Sequence, residues 1–335
     1  MTAPRLSVLD LIPVSEGMTP AQALEASLAL AEVADSAGYL RYWIAEHHNT
    51  EAFIGPATEV LIGLAAARTE RIRVGSGGVM LPNHSPLKVA ENFMTLEALF
   101  PGRIDLGLGR APGTDGRTAL ALRRSPDAMG ADDFETQIAM LKAFAGAAPW
   151  PERSLLSTVQ SYAGTDLPPL YILGSSLFGA ELAGRLGHPY AFAYHFSSFE
   201  PEDALATYRQ HFRAGSDQAQ PYGLLGVNVV AAETTEEAQE LALTSAALAL
   251  SIASGRRGPL LSPENARAWI DDMGVGSQKL LSKAIIGTGE QVYAELSDLA
   301  SRTGAHELLL TTHVFDPLAR QRSYQLIAEA AGLKG

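Results

Sequence analysis

The feature that most constrains this chain is the alternation of short aliphatic runs with longer runs of helical periodicity. The short runs are typical of buried strands, and apolar residues in the longer runs recur with the 3.6-residue period of an amphipathic helix. This alternation favours parallel strands joined by helices. Eight strands are predicted, near residues 6–12, 41–46, 72–80, 104–109, 170–174, 190–196, 224–231 and 307–312.

Amphipathic segments lie between these strands, and eight strands joined by helices suit a closed barrel better than an open sheet. The 335 residues exceed the roughly 250 that one such barrel typically needs. We therefore predict a single (β/α)8 TIM barrel domain over residues 1–335. Thr288 followed by Gln291 is typical of a capping box that begins a helix before the last strand. The other predicted helices are Pro20–Ala37, Pro56–Ala67, Pro86–Leu99, Phe134–Phe144, Leu177–Leu186 and Glu202–Arg213.

Two stretches interrupt the alternation. Residues 111–132 are rich in Gly, Pro and Arg, and residues 254–282 contain a Gly-Arg-Arg-Gly-Pro segment. Long loops inside compact domains are usually functional or disordered. We predict that both are insertions that form active-site loops.

Composition excludes several classes of function. With 37 acidic and 25 basic side chains the formal charge is −12, which argues against general attraction to nucleic acid or an anionic membrane. A phosphate site would have to be built locally. The chain has no cysteine, which excludes disulfides and thiolate metal sites and fits a cytoplasmic protein. We find neither a signal peptide nor an apolar stretch of the roughly 20 residues that span a bilayer.

Reactive groups of a β/α barrel lie at the carboxyl ends of its strands, and Glu46-His47-His48 follows the second predicted strand. Because side chains alternate, Glu46 and His48 should share a face while His47 points the other way. At least one histidine is expected to face the barrel mouth. The alternative is a purely structural pair that is hydrogen-bonded within the loop. A metal site would need a third ligand such as His84 or His195. No clustered spacing supports one, so we predict no metal.

Glycines interrupt the third and fourth predicted strands. Gly75, Gly77 and Gly78 indicate a bulge, a strained peptide or the close approach of a flat ligand, or else simple flexibility. The segment Gly107-Leu108-Gly109-Arg110 lacks the third glycine of a dinucleotide-binding loop. Arg110 could instead bind phosphate, as could Arg117, Arg123 or Arg124, and we expect at most two of the four to contact the ligand.

Polar residues also follow the fifth and sixth predicted strands. Gly174-Ser175-Ser176 precedes a helix, so its amides and hydroxyls could cap that helix and receive an anion at the positive end of the helix dipole. Tyr194 and His195 could face a ligand. The alternative is that both side chains are buried and make their hydrogen bonds to backbone groups.

Several of these segments, in this order, resemble the bacterial luciferase-like monooxygenases. The match spans most of the chain. It rests on Ala45–His48, Arg73–Pro82, Pro101–Arg110, Leu173–Ser176 and Phe192–Phe196.

The resemblance implies a barrel that holds FMN in its mouth, accepts the reduced flavin from a separate reductase, and reacts it with O2. It implies catalytic roles for His47, by acid/base assistance in the usual pKa range of histidine, and for Glu46. A cis peptide bond without proline is implied beneath the flavin ring, at Gly77–Gly78. The implied flavin contacts also include Arg110, Gly174, Ser175, Ser176 and Tyr194. Gly109 stands where luciferase has a reactive cysteine, so light emission is not expected.

The predicted function is that of a homodimeric, FMN-dependent monooxygenase acting on a small, mostly apolar organic molecule. Two alternatives remain within the resemblance: a hydride-transferring oxidoreductase that uses the deazaflavin F420, and a non-catalytic flavin-binding partner subunit. The intact Glu46-His47-His48 motif disfavours the latter. A metal-dependent hydrolase on the same barrel is a third alternative.

Overall fold

A computed structural model describes residues 3–111, 115–123, 133–150, 155–161, 164–215 and 218–335. In this part of the chain the strands are β1 (Arg5–Asp10), β2 (Arg41–Ile44), β3 (Arg73–Ser76), β4 (Val79–Met80), β5 (Ile104–Gly109), β6 (Leu170–Gly174), β7 (Tyr190–Phe192), β8 (Gly223–Ala232), β9 (Ala284–Thr288) and β10 (Glu307–Thr311).

The strands form a closed parallel barrel, which confirms the predicted (β/α)8 TIM barrel. Their order is β10-β1-β2-β3-β5-β6-β7-β8, and β8 pairs with β10 to close the sheet. Both edges of β10 are paired, because Leu308 lies in register with Leu6 of β1 and with Leu225 of β8. Closure leaves no free sheet edge among these eight positions.

Two strands depart from the sequence prediction. The predicted strand 72–80 is divided into β3 and β4 at Gly77 and Gly78, and β4 pairs with β5. The unpredicted strand β9 pairs with Asn228–Ala232, beyond the point where the three-residue β7 has ended. β9 therefore pairs with the part of β8 that extends beyond β7. The sequence prediction missed β9 because its five residues show little periodicity.

The helices surround the barrel. They are α1 (Pro20–Ser36), α2 (Thr58–Arg68), α3 (Pro86–Leu99), α4 (Gly116–Arg123), α5 (Phe134–Phe144), α6 (Leu177–Leu186), α7 (Pro201–His211), α8 (Thr235–Leu241), α9 (Leu243–Ser254), α10 (Pro263–Asp272), α11 (Ser277–Leu280), α12 (Gly289–Thr303) and α13 (Pro317–Ala331). The capping box predicted at Thr288 and Gln291 begins α12. None of the described helices combines the length and the apolar character needed to cross a membrane.

The prediction of a long loop over residues 254–282 is wrong. Ser262 accepts a hydrogen bond from the backbone N–H of Asn265 and begins α10, and α11 follows from Ser277. The sequence did carry a start signal for α10, because Ser262 is a favoured N-cap residue and Pro263 a favoured first residue of a helix. Of the other predicted insertion, 111–132, the structure describes residue 111 and 115–123, which include α4; residues 112–114 and 124–132 lie outside the described residues.

Strand alternation decides which side chains fill the barrel interior. On β2 and the residues that follow it, the odd-numbered side chains face inward, from Arg41 through Trp43 and Ala45 to His47. On β10 the inward series is Glu307, Leu309 and Thr311. An apolar layer in the middle of the barrel contains Leu9, Trp43, Tyr171, Ala191, Leu224 and Leu309.

Buried ion pairs fill the interior at the amino-terminal end of the strands. Arg41 donates to Asp105 at 2.7 Å and to Glu307 at 2.8 Å, so one guanidinium joins β2, β5 and β10. Arg73 of β3 donates to Asp105 at 2.6 Å, and Ser7 of β1 donates to Glu307 at 2.5 Å. These contacts connect strands that are far apart in sequence but meet in the closed barrel.

We expect Arg41→Met to lower the free energy of unfolding by about 3 to 5 kcal/mol, because it leaves Asp105 and Glu307 buried with less compensation. Arg68→Met is the matched control. Arg68 pairs with the exposed Glu25, and its loss should cost about 1 kcal/mol or less. Urea unfolding of both variants measures the difference. Equal losses would show that the buried network does not stabilise the barrel.

Candidate active site

A cavity of about 330 Å³ opens at the carboxyl ends of the strands. Residues from β1, β2, β6 and β10, or just beyond them, make its wall largely apolar. They include Leu9, Leu11, Ala45, Ile172, Leu173 and Leu309. Polar groups reach it from a few places only, and most lie in the segments identified from the sequence.

In the Glu46-His47-His48 motif, the side chains of Glu46 and His47 point to opposite sides of the cavity wall, as strand alternation predicts. His47 lines the cavity. Glu46 is not among the lining residues, and its carboxylate accepts hydrogen bonds from His48 Nε2 at 2.7 Å, His84 Nε2 at 2.9 Å and the Met80 backbone N–H at 2.9 Å. Glu46 therefore ties the end of β2 to β4 and to the segment that follows it.

The surroundings of Glu46 keep it ionised. Burial opposes the charge, but the hydrogen bonds from His48 and His84 and the charge of His84 lower the pKa of Glu46 to about 2. Burial likewise opposes the charge on His84, whose pKa is nevertheless raised by its bond to Glu46. The ligand atoms of Glu46, His48 and His84 lie within 4.8 Å of one another, a grouping that could hold a metal ion. The hydrogen bonds among them account for this grouping.

His47 lies in a different environment. Burial lowers its pKa to about 4, below the range expected from the sequence, so the ring is neutral at pH 7. Its Nδ1 atom is buried and has no hydrogen-bond partner among the described residues. One face packs on Phe53, with ring centroids 5.2 Å apart. The imidazole can therefore offer one hydrogen-bonding atom to a molecule in the cavity.

The glycine segment forms part of the cavity floor. The peptide bond between Gly77 and Gly78 is cis, as predicted, and both residues line the cavity. A Cβ at Gly75 would lie 2.4 Å from Asp105 O, and one at Gly78 would lie 2.8 Å from Gly107 O. Close approach of neighbouring backbone is thus enough to require glycine at these two positions, and the predicted flavin contact at Gly77 and Gly78 stays a prediction.

Groups suited to an anion meet at one end of the cavity. Gly174, Ser175 and Ser176 line it where α6 begins. Arg110 lines the same cavity, and its guanidinium lies 4.2 Å from the centroid of the Phe178 ring. Ser176 is the N-cap residue, but its side chain makes no capping hydrogen bond. The predicted side-chain cap is therefore wrong, and the hydroxyl is not used to cap the helix.

Other predicted contacts lie elsewhere. Tyr194 is not among the residues that line the cavity, and its ring lies 5.3 Å from Lys283 Nζ; its contact with flavin stays a prediction. Arg117 is exposed on α4 and also lies outside the lining. The side chain of Arg123 and all of Arg124 lie outside the described residues.

Sequence reasoning missed polar residues at the mouth on β8 and β10. Asn228, Thr311 and His313 each bury a polar atom that lacks a partner among the described residues. Phe53, in the segment after β2, packs on His313 with ring centroids 5.5 Å apart. The rule that polar residues at strand ends are functional would have identified Thr311, at the end of β10, but not Asn228, which lies inside β8.

Comparison with known proteins gives consistent matches over nearly the whole chain. The model of the luciferase-like monooxygenase family matches residues 5–307. A luciferase-like monooxygenase of Escherichia coli (strain K12) is 40% identical over 323 residues, 96% of this chain and 95% of the relative. The N-acetyl-S-alkylcysteine monooxygenase of Bacillus subtilis (strain 168) is 34% identical, covering 97% and 98%. The crystal structure of apo-MsnO8 superposes with a TM-score of 0.86 at 37% identity, covering 99% and 98%.

Three buried imidazoles at the mouth predict acid sensitivity. Chiefly through burial, the pKa values of His47, His195 and His313 are lowered from 6.5 to about 4, 4 and 3. Between pH 6.5 and 4 the unfolded chain binds protons that the folded chain does not, so stability falls as pH falls. Replacing His313 by Asn should reduce the loss between pH 6 and pH 5 by about 1 kcal/mol.

Urea unfolding at pH 7, 6 and 5 measures this effect. His84→Gln is the control of opposite sign. Because the folded-state pKa of His84 is raised, its contribution is present below pH 6.5 and lost above, so its removal should steepen the acid loss. Parallel profiles for wild type and His313→Asn would contradict the assignment.

Proposed function

The chain belongs to the luciferase-like monooxygenase family, and from that premise we propose that it is an FMN-dependent monooxygenase. It would take reduced FMN from a separate flavin reductase and use O2 to oxygenate a small, mostly apolar organic molecule. The observation that carries this proposal is that one cavity combines apolar walls with groups suited to an anion at one end.

The residues present fit FMN. The backbone N–H groups at the start of the ten-residue helix α6 carry the positive end of its dipole, which suits a phosphate. The Ser175 and Ser176 hydroxyls and the Arg110 guanidinium add donors there. The apolar wall formed by Leu173, Leu309 and their neighbours suits a flat aromatic ring. These features support FMN binding with its phosphate toward α6.

When bound, reduced FMN would supply the redox chemistry of the site, because reduced flavin reacts with O2. His47 would act from the cavity wall, where its neutral ring can donate or accept one hydrogen bond at Nδ1. With a pKa of about 4, it would hold no extra proton at rest and could accept one only transiently. The apolar wall would exclude water from the reacting groups.

Glu46 would act as a positioning residue and not at the reacting atoms. Its carboxylate accepts from Met80 N–H and from two histidines, so it fixes the backbone on either side of His47 and beyond Gly78. Loss of these bonds should shift His47 relative to the cavity floor.

Other parts of the proposal rest on the family resemblance. The homodimer is one of them. The flavin reductase, a cytoplasmic location and the class of the substrate also stay predictions.

Calorimetric titration with oxidised FMN, and anaerobically with reduced FMN, tests the proposal. We expect micromolar or tighter binding, and Arg110→Ala should weaken it about 30-fold, or about 2 kcal/mol, by removing charge-assisted hydrogen bonds to phosphate. Arg117→Ala removes a nearby exposed arginine outside the cavity lining and should leave the affinity unchanged.

Three other results would count against the proposal. Equal effects of the two substitutions would place the phosphate elsewhere. Binding of F420 without binding of FMN would favour the hydride-transferring alternative. Tight FMN binding without oxygen consumption, over a wide set of organic substrates, would favour a non-catalytic subunit.

A further inference from the structure

Four polar side chains at the barrel mouth bury atoms that have no hydrogen-bond partner among the described residues. The atoms are His47 Nδ1, Asn228 Oδ1, Thr311 Oγ1 and His313 Nδ1. The buried ring of His195 lies beside them, close to the backbone of Gly226. Buried polar groups are nearly always hydrogen-bonded in native proteins. Four such atoms in one region indicate a place prepared for a polar group of a ligand.

Strand alternation directs these side chains to the interior. Gly226 lines the cavity, and Asn228 follows two residues later on β8. In the same way Leu309 lines it, and Thr311 follows on β10. Asn228 and Thr311 are partners in the β8–β10 register, so they lie side by side. Each comes two residues after a lining residue, toward the carboxyl end of its strand, and neither is itself among the residues that line the cavity.

The three histidines adjoin this pair. His47 and His195 line the cavity, and Asn228 Nδ2 donates to the His195 carbonyl at 3.4 Å. Phe53 packs on both His47 and His313. Each ring also disfavours the charge on its neighbours, because His47 lowers the pKa of His195 and both lower that of His313. We call the group His47, His195, Asn228, Thr311 and His313 the mouth recess.

The chemistry of the mouth recess favours an uncharged ligand group. Its members are imidazoles, an amide and a hydroxyl, and none of them carries a fixed charge. The charged residues that act on His313 are Arg320 and Asp10, which pair with each other at 2.6 Å between β1 and α13. A carboxylate or ammonium group entering the recess would lose its hydration without gaining a counter-charge.

We propose that the mouth recess is the substrate site for a neutral oxygen group, a carbonyl or a hydroxyl, while the apolar wall receives the hydrocarbon body of the same molecule. This inference rests on the proposed monooxygenase function, whose substrate class it narrows. The hydroxyl of Thr311 can donate or accept, and Asn228 Oδ1 accepts, so the recess can serve either oxygen group.

Binding of three matched probes tests the proposal: cyclohexanone, cyclohexanol and methylenecyclohexane, which share one shape and differ in the polar group. Dissociation constants come from titrations followed by the imidazole nitrogen signals of histidine-labelled protein, with and without oxidised FMN. We expect one or both oxygen-bearing probes to bind about tenfold more tightly than the alkene, as one hydrogen bond would give, and to shift the signals of the recess histidines.

Two adjacent threonines provide the matched variants. Thr311→Val keeps the shape of the side chain but removes the recess hydroxyl, and it should reduce the tenfold preference to threefold or less. Thr312→Val is the control, because Thr312 Oγ1 already donates to Val229 O at 2.9 Å. Losing that bond should lower the stability of the protein and leave the preference for the oxygen-bearing probes unchanged.

Equal affinities for the oxygen-bearing probes and the alkene would overturn the proposal. An equal loss of preference in Thr311→Val and Thr312→Val would also overturn it. The FMN titration is made on the same preparations, so the two proposals can fail separately. A preserved preference without FMN binding would refute only the flavin function, whereas FMN binding without the preference would refute only the recess.

Discussion

The guanidinium of Arg41 bonds to carboxylates on two other strands, Asp105 and Glu307, and the rest of the site depends on this contact. It lies inside the barrel and joins the second strand to the fifth and the last. Because inward and outward side chains alternate, placing Arg41 inside also places Trp43, Ala45 and His47 inside. The ion pairs at one end of the barrel therefore fix which side chains reach the cavity at the other.

The same alternation separates two kinds of histidine at the mouth. His48 and His84 face away from the cavity and share the ionised carboxylate of Glu46. His47, His195 and His313 are buried without such a partner, and burial keeps them neutral. One group holds backbone segments together, whereas the other would, in our proposal, offer hydrogen-bonding atoms to a ligand. Neighbouring residues of one motif thus serve different purposes because of the direction of their side chains.

Much of the site could be predicted from local patterns. Aliphatic runs located the eight barrel strands, and polar residues just past them identified His47, Arg110, Ser175 and Ser176, which all line the cavity. Predictions that depended on neighbours in space were weaker. Tyr194 lies against Lys283, and a Cβ at Gly75 would meet Asp105; neither contact can be read from residues close in sequence.

The sequence by itself determined the alternation of strands and helices, the family, and the opposite directions of Glu46 and His47, since each follows from local periodicity or an ordered set of motifs. Only the tertiary structure brought Asn228, Thr311 and His313 beside His47. Barrel closure pairs β8 with β10 and places both near the end of β2, although more than 170 residues separate these segments from His47. Burial, which sets the protonation of the three histidines, exists only after that closure.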